Sequence, residues 1–540
     1  MLSALPELSG PRVLFATGYG LAGAMMTLES VLVMALRMRG ALPTVLLCDK
    51  ILPACEWNRF GNFVPSPDGF GPKLTKRGRL ETCRICTENI LDSHGLLPVP
   101  KAAFSEYIRP GDLDRASKAV DSISYDSYRD YTYRDIRVGE HAFASVMRTT
   151  LRGTLVENEE TRQLFRRYLI AAMLVVDLTE RVFREVKPER VVAIHGVYVT
   201  HGTICETAQK HDLPVIVYGT PYRLNTVWLS HGDTYHRTLI TEPTSRWENI
   251  VLGPEMEKRL DEYLASKRLG GRDYAAYHVD AINDRETLVS ELHLNPDLPI
   301  ISLFTNVLWD AQLYYKYNAF GSMLEWLFET IRYFGKRSDL QLVIRIHPAE
   351  AKGAMPTNQP LLPEILREFP RLPDNVGIIP SESKLSSYTL AEMSQAALIY
   401  GARMGVEIAV LGVPLIVAGE TFNRRKGYSY DVESREEYFS LLDRICDLPR
   451  NSDEMIARAR KYAYHYYFRL MIDFPLFSVR EGLHLSGPRL EFDHLNNLAP
   501  GQCAALDLIC QGIRDARTPF IFDSYASSES NCNATNSGRE

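Results

Sequence analysis

Leu342-Val-Ile-Arg-Ile-His-Pro-Ala-Glu350 and Tyr400-Gly-Ala-Arg-Met-Gly-Val-Glu-Ile-Ala-Val-Leu-Gly-Val-Pro-Leu-Ile-Val-Ala-Gly419 are the two stretches whose reading decides the fold. Each is a short apolar run bordered by polar residues, Gly or Pro, the pattern of a buried strand joined to a turn. Open α/β sheets bind ligands at such strand ends. In the second stretch a strand closes at Ala397 to Tyr400, Gly401 permits the turn, and a helix is predicted to begin around Arg403 to Gly405. The unpaired N–H groups of a helix start suit a phosphate. Glu407, one turn further on, stands where it would accept hydrogen bonds from sugar hydroxyls. Gly412-Val-Pro414 then ends the helix and feeds the strand Leu415 to Ala418.

Around these stretches the same alternation continues. Strands are predicted at Leu298 to Phe304, Gln341 to Ile346 and Asp374 to Ile379, with a helix at Gly321 to Phe334. Parallel strands end on one side of their sheet, so Thr305, Asn306, Arg345 and His347 should converge. Ser381, Ser383, Ser386 and Ser387 follow a strand end and either cap a helix or hold phosphate. Arg424, Arg425 and Lys426 form a basic loop with the makings of a diphosphate or sugar-carboxylate clamp, or of a solvated surface loop.

The first half opens with strand Arg12 to Ala16, helix Met25 to Arg39 and strand Pro43 to Cys48, a parallel βαβ unit. Gly18-Tyr-Gly20-Leu-Ala-Gly23 between the first two matches the dinucleotide pattern G-x-G-x-x-G, with Asp49 after the next strand. Strand Arg190 to Ile194 ends in His195-Gly196, which puts His195 at the ligand-facing side as a candidate base or a structural histidine. His201, His231 and Asp233 compete for that role. Cys48, Cys55, Cys83 and Cys86 are candidate ligands of a structural zinc that would pin the Gly- and Pro-rich segment Gly61 to Gly78; the alternative is free thiols. Tyr125, Tyr128, Tyr131 and Tyr133 suit a packed surface loop better than a sugar platform.

The 540 residues are 45% hydrophobic and 24% charged with net charge −6, which excludes a nucleic-acid footprint and allows two full domains. The apolar run Ala22 to Leu36 is broken by Glu29 and Ser30 and reads as neither signal peptide nor membrane span. Nine irregularly spaced cysteines argue for a reducing, cytoplasmic setting. The expected organisation is a Rossmann-like first domain over 1–285, a Rossmann-like second domain over 286–445, a helical segment over 446–521 partly crossing back, and a disordered tail over 522–540.

Glu407, Gly412 and Pro414 form a Glu-x4-Gly-x-Pro element, and here the chain resembles the GT-B nucleotide-sugar glycosyltransferases. Arg345-x-His347-Pro348 at a strand end resembles more narrowly the bacterial capsule and surface-polysaccharide transferases, including Kdo- and sialyl-transferring branches. The resemblance covers roughly residues 295 to 445, and the first half in outline. It implies two Rossmann-like α/β domains facing across a cleft, with the nucleotide-sugar donor on Asn306, Arg345, His347, Ser386, Ser387, Arg403, Glu407 and Lys426. Gly18 and Gly20 would lie near acceptor or phosphate, and His195 or Asp233 would be the base. The implied acceptor is a glycan or glycolipid, with peripheral association to the cytoplasmic membrane face, and the implied reaction is inverting and needs no metal. Three other readings share parts of this pattern: a non-hydrolysing sugar-nucleotide epimerase, an NAD-dependent oxidoreductase and a non-catalytic assembly protein.

Overall fold

The structure is a computed structural model that describes residues 7–18, 20, 21, 23–56, 76–274, 277, 280–310, 313, 315–353, 357–478 and 488–523, with 76–80 as backbone only. The stretch through residue 75 that a zinc would pin and the tail from Ser524 onward lie outside the described residues.

Two sheets organise the chain. The first contains β1 (Arg12–Thr17), β2 (Leu42–Leu47), β3 (Lys101–Ala103), β4 (Arg190–Ile194), β5 (Val215–Gly219) and β6 (Thr226–His231). The second contains β7 (Ile300–Phe304), β8 (Gln341–Arg345), β9 (Val376–Ile379), β10 (Ala396–Ile399), β11 (Leu415–Val417) and β12 (Tyr430–Asp431). A late strand, β13 (Ile472–Asp473), returns to the first sheet, whose order is β13-β6-β5-β4-β1-β2-β3. The order of the second is β12-β11-β10-β7-β8-β9, parallel throughout. That is the doubly wound 3-2-1-4-5-6 arrangement, and β3 to β5 of the first sheet repeat its first five positions. Two Rossmann-like α/β lobes therefore face one another.

Nearly continuous apolar runs build these strands because both faces are covered. Leu14, Ala16 and Val191 enter one apolar cluster while Val13, Phe15 and Val192 enter the cluster on the opposite face. The second sheet repeats this with Val343, Ala397 and Ile399 against Leu342, Ile344 and Leu398. Helix Glu159–Val186, capped by Asn158 Oδ1 accepting Thr161 N–H at 2.8 Å, lays its buried stripe on the first sheet's outer face. Tyr125 and Tyr128 pack on it beside Phe165, with ring centroids 6.2 and 5.5 Å away, so they serve packing.

The last quarter of the chain ties the lobes together. Helix Asp453–Tyr464 packs on helix Gly405–Val410, then widens into a π turn at His465–Leu470 and delivers β13 to pair antiparallel with β6. Helix Ala504–Asp515 then packs on helix Gly23–Met38 of the first lobe. Trp247, Leu260 and Tyr263, which the sequence places with the first domain, join the apolar cluster of the second sheet.

A second junction bridges the lobes at the edge of the gap between them. Gln359 Oε1 accepts the N–H groups of Gly153 and Thr154 at 2.9 and 3.0 Å, and its amide donates to Thr154 Oγ1 at 2.8 Å. Asn358 donates from its amide to the Thr150 carbonyl at 2.8 Å and from its backbone N–H to the Leu151 carbonyl at 2.9 Å. Gln359→Ala strands two N–H groups at a junction where Gln359 is buried, and should cost about 1–3 kcal/mol. Urea unfolding of the full chain reads this as a lowered midpoint, and an unchanged midpoint would show that the bridge contributes nothing.

Candidate functional site

A cavity of about 970 Å3 lies between the lobes. Its wall is made by the residues that follow strands: His195 after β4, Tyr222 after β5, Asn306 to Asp310 after β7, His347 after β8, Arg403 after β10 and Glu420 after β11. The β7/β10 switch point opens toward it, the loop after β4 adds to it from the first lobe, and its size is that of a small-molecule site.

On the first-lobe side the chain turns sharply out of β4. His195 and Gly196 both have positive φ, +56° and +64°, and the His195 N–H donates to the Tyr218 carbonyl at 2.9 Å. A left-handed histidine costs about 1–2 kcal/mol, a strain that places its ring in the cleft wall between Tyr198 and Tyr235, with centroids 6.3 and 5.9 Å away. Burial, reinforced by Arg148 and His236, lowers its pKa to about 3, while Asp310 opposes that. At neutral pH the imidazole is uncharged and open to a proton, but a pKa this low makes it a weak base until a negative charge beside it raises its proton affinity.

On the second-lobe side, Thr305, Arg345 and His347 come together as their strand ends dictate. The His347 N–H donates to Thr305 Oγ1 at 3.0 Å, and its Nδ1 accepts the Ala349 N–H at 3.0 Å, which assigns the proton of a neutral ring to Nε2. Arg345 is buried and spans from Ser387 Oγ at 3.2 Å to the carbonyls of Pro380 at 2.5 Å and Ser383 at 3.2 Å; burial lowers its pKa to about 10. It braces the turn after β9. Ser387 lines a small side cavity of about 80 Å3 together with Arg345, His347 and Glu407, whereas Ser386 accepts the Thr389 N–H and is a helix cap away from both cavities. Asn306, Trp228 and Trp309 line the main cleft, but Asn306 Oδ1 and the two indole N–H groups are themselves buried and have no partner among the described residues.

Arg403 lies in the wall of both cavities, its guanidinium 3.9 Å from the Tyr222 ring centroid and 3.9 Å from Asp273 Oδ2. Helix Gly405–Val410 behind it has only six residues, so the phosphate-binding helix start expected there gives way to the arginine side chain itself. Glu407 is 5% exposed and accepts the hydroxyls of Tyr388 and Tyr467 at 2.5 and 2.6 Å, with Lys267 Nζ at 3.3 Å. Lys267 also holds Asp273 at 2.6 Å. Glu407 is thus a buried support for Arg403, which corrects its reading as a ligand of sugar hydroxyls.

Other expected site residues lie elsewhere. Gly20 donates its N–H to Cys86 Sγ at 2.9 Å and accepts from Asn89 at 2.7 Å, and a Cβ there would stand 2.1 Å from the Cys86 carbonyl oxygen. Gly18 abuts His201 and Thr200. Among the described residues of the glycine loop, Gly20 is packed against helix Lys76–His94 and Gly18 against His201 and Thr200, so neither glycine offers a phosphate cradle to a dinucleotide or an acceptor. Asp233 caps Thr234 N–H at 2.6 Å, pairs with Arg237 at 3.5 Å and is not among the cleft-lining residues. Lys426 is buried against the carbonyls of Leu239 and Glu242 at 2.9 and 3.3 Å, its pKa lowered by burial to about 8, and cannot clamp a phosphate in the cleft. Among the described residues no three His, Cys, Asp or Glu side chains form a metal-ligand group. Cys48, Cys55, Cys83 and Cys86 form no disulfide among the described residues, with burial pushing the Cys48 thiol up and that of Cys86 to about 11.

Arg148, His236 and Asp310 were not singled out from the sequence and all line the cleft. Asp310 had a signal, its place just past the end of β7. Arg148 had none, since it sits near the end of a helix whose other residues are mostly buried.

No protein-family model and no curated protein matches the chain. Among solved structures it is similar to KpsC β-Kdo 2,4-transferase of Thermosulfurimonas dismutans, at 13% identity over 58% of this chain and 87% of that one, TM-score 0.34. The UDP-GlcNAc 2-epimerase of Neisseria meningitidis matches at 11% identity over 84% and 98%, TM-score 0.25. The calicheamicin glycosyltransferase CalG4 matches at 13% identity over 84% and 94%, TM-score 0.24. Likeness of this degree assigns neither activity nor substrate. Among the described residues no helix is long and apolar enough to cross a membrane.

The buried carboxylate yields a pH prediction. Burial alone would raise Glu407, but Lys267, Arg403 and the two tyrosine hydroxyls hold its pKa down at about 2 against an ordinary 4.5. Stability from this group is present above the ordinary value and is lost as pH falls toward 2, on the order of 3 kcal/mol in all. Glu407→Gln should flatten the fall in unfolding free energy between about pH 5 and 2, measured by denaturant titration across that range.

Proposed function

We propose that the chain is a glycosyltransferase that moves a sugar from a nucleotide-sugar donor to a hydroxyl of a surface or capsular polysaccharide, glycolipid or related glycan. The observation that carries this reading is the cleft itself. It lies between the two lobes at the strand ends, a neutral histidine, His195, stands on one wall, and Arg403 and His347 stand on the other.

The donor's phosphates lie toward Arg403 and the Nε2–H of His347, with Asn306 in the same wall. The acceptor oxygen attacks the anomeric carbon from the first-lobe side as the bond from that carbon to phosphate oxygen breaks. The acceptor proton passes to His195, and the bonding electrons leave with the nucleoside phosphate, whose growing charge Arg403 and His347 offset. One displacement of this kind inverts the anomeric centre and assigns no step to a metal ion. Glu407, Lys267 and Asp273 act through Arg403 by fixing it beside Tyr222.

Thermal shift of the full chain against UDP-, GDP-, dTDP- and CMP-sugars is the first test, since a bound donor stabilises the folded state. One donor should raise the midpoint, and His347→Ala and Arg403→Gln should each abolish that rise, measured against each variant's own unliganded midpoint. Failure of every donor to bind, or binding undiminished in both variants, would sink the proposal. His195→Ala should keep donor binding and lose about 10²- to 10⁴-fold in turnover once an acceptor is found. Conversion of the donor with no acceptor present would instead identify an epimerase.

A further inference from the structure

We propose that Arg148 is the centre of a second anion subsite, on the first-lobe wall of the cleft, which takes a carboxylate or phosphate carried by the acceptor, and that Asp310 occupies it as an internal stand-in. The assignment of this subsite to the acceptor rests on the glycosyl-transfer reading; the subsite itself rests on the following geometry.

Arg148 ends helix Val138–Thr150 with its guanidinium 5.5 Å from the Tyr198 ring centroid and 5.2 Å from that of Trp309. Its Nη1 meets Asp310 Oδ1 at 2.6 Å across the gap between the lobes. The two partners are buried unequally, with the Arg148 side chain 16% exposed and that of Asp310 55%. A mostly desolvated guanidinium needs a negative partner, whereas a half-exposed carboxylate returns to water at little cost. Arg148 is thus the fixed host and Asp310 the exchangeable guest.

The surroundings suit an incoming oxyanion. His195 and His236 share this wall, and burial keeps both neutral, so neither brings a competing negative charge and each can gain a proton when an anion arrives. Asp310 already favours the protonated form of both, and Arg148 opposes it. A ligand oxyanion seated on Arg148 would act on His195 as Asp310 does and would help it take up the acceptor's proton. Arg403 serves the leaving phosphate from the opposite wall, so the two arginines divide donor from acceptor.

Isothermal titration of the full chain with D-glucuronate and with inorganic phosphate, and with D-glucose as neutral control, tests this. Arg148→Gln should weaken anion binding about tenfold or more, the loss of a charge-assisted hydrogen bond. Asp310→Asn should strengthen it by about three- to fivefold, because the internal competitor is gone. Glucose should show neither effect, and the tighter of the two anions identifies which group the acceptor carries. Anion affinity unchanged or reduced in Asp310→Asn would overturn the proposal, and so would affinity that survives Arg148→Gln but is lost in Arg403→Gln. If no nucleotide sugar binds while the two opposed effects hold, the transfer reading fails and the subsite stands.

Discussion

A buried, internally neutral cluster of charges holds the site together. Glu407 and Asp273 face Lys267 and Arg403, and the hydroxyls of Tyr388, Tyr467 and Tyr263 complete the carboxylates' hydrogen bonding. Five separate pieces of chain meet there: the helix ending at Arg268, the connection beyond it, the two short helices after β9 and β10, and the π turn of the crossing segment. Charges out of water cost several kcal/mol each unless paired, so each piece is held in place by the others' need for a partner. Arg403 is the member that also reaches the cleft. The turn after β10 is therefore rigid because of residues that no ligand touches.

Much of the frame could be read from the sequence, for a physical reason. Strands covered on both faces are short apolar runs, and Gln341 to Ile346, Arg190 to Ile194 and Leu415 to Ala418 each become strands within a residue of where the pattern puts them. β6 was missed because Thr226–His231 mixes aromatic, polar and apolar residues at a partly covered position. Glu29 shows the reverse difficulty. It interrupts an apolar run in sequence, yet it is buried, accepts hydrogen bonds from Thr17 and Tyr218, and burial raises its carboxyl to about 7. Composition alone does not tell a solvated glutamate from one buried beneath a strand.

Site residues were legible where topology alone fixes their position. His195, Asn306 and His347 follow parallel strands and face the cleft for that reason. Where the argument leaned on residue type, the protein often satisfied the group internally. Lys426 gives its ammonium to two carbonyls, Ser386 caps a helix, and Gly18 and Gly20 make room for a neighbouring helix and side chains. Buried polar groups need partners whether or not a ligand exists, so a basic or hydroxyl side chain near a strand end is weak evidence of a binding role. Partners drawn from distant parts of the chain, such as Lys267 for Glu407, leave no local pattern to read.

The cleft is also bounded in a way that bears on how its two walls work together. At one edge Gln359 and Asn358 bind the loop after helix Val138–Thr150. Elsewhere in the junction Tyr466 of the crossing segment stacks on Phe422 of the second lobe at 4.5 Å and meets Trp228 of the first edge-on at 5.7 Å. One contact is made of hydrogen bonds around the buried Gln359 amide and the other of large buried rings, so they respond differently to load. The polar junction can be exchanged for water at modest net cost, while separating the rings exposes apolar area at about 25 cal/mol per Å2. Widening of the cleft would therefore begin at Gln359 and pivot on Tyr466. Because Arg148 stands near the end of the helix whose following loop Gln359 binds, its ion pair with Asp310 would separate early in such a motion, so the charge pattern around His195 is coupled to how far the lobes stand apart.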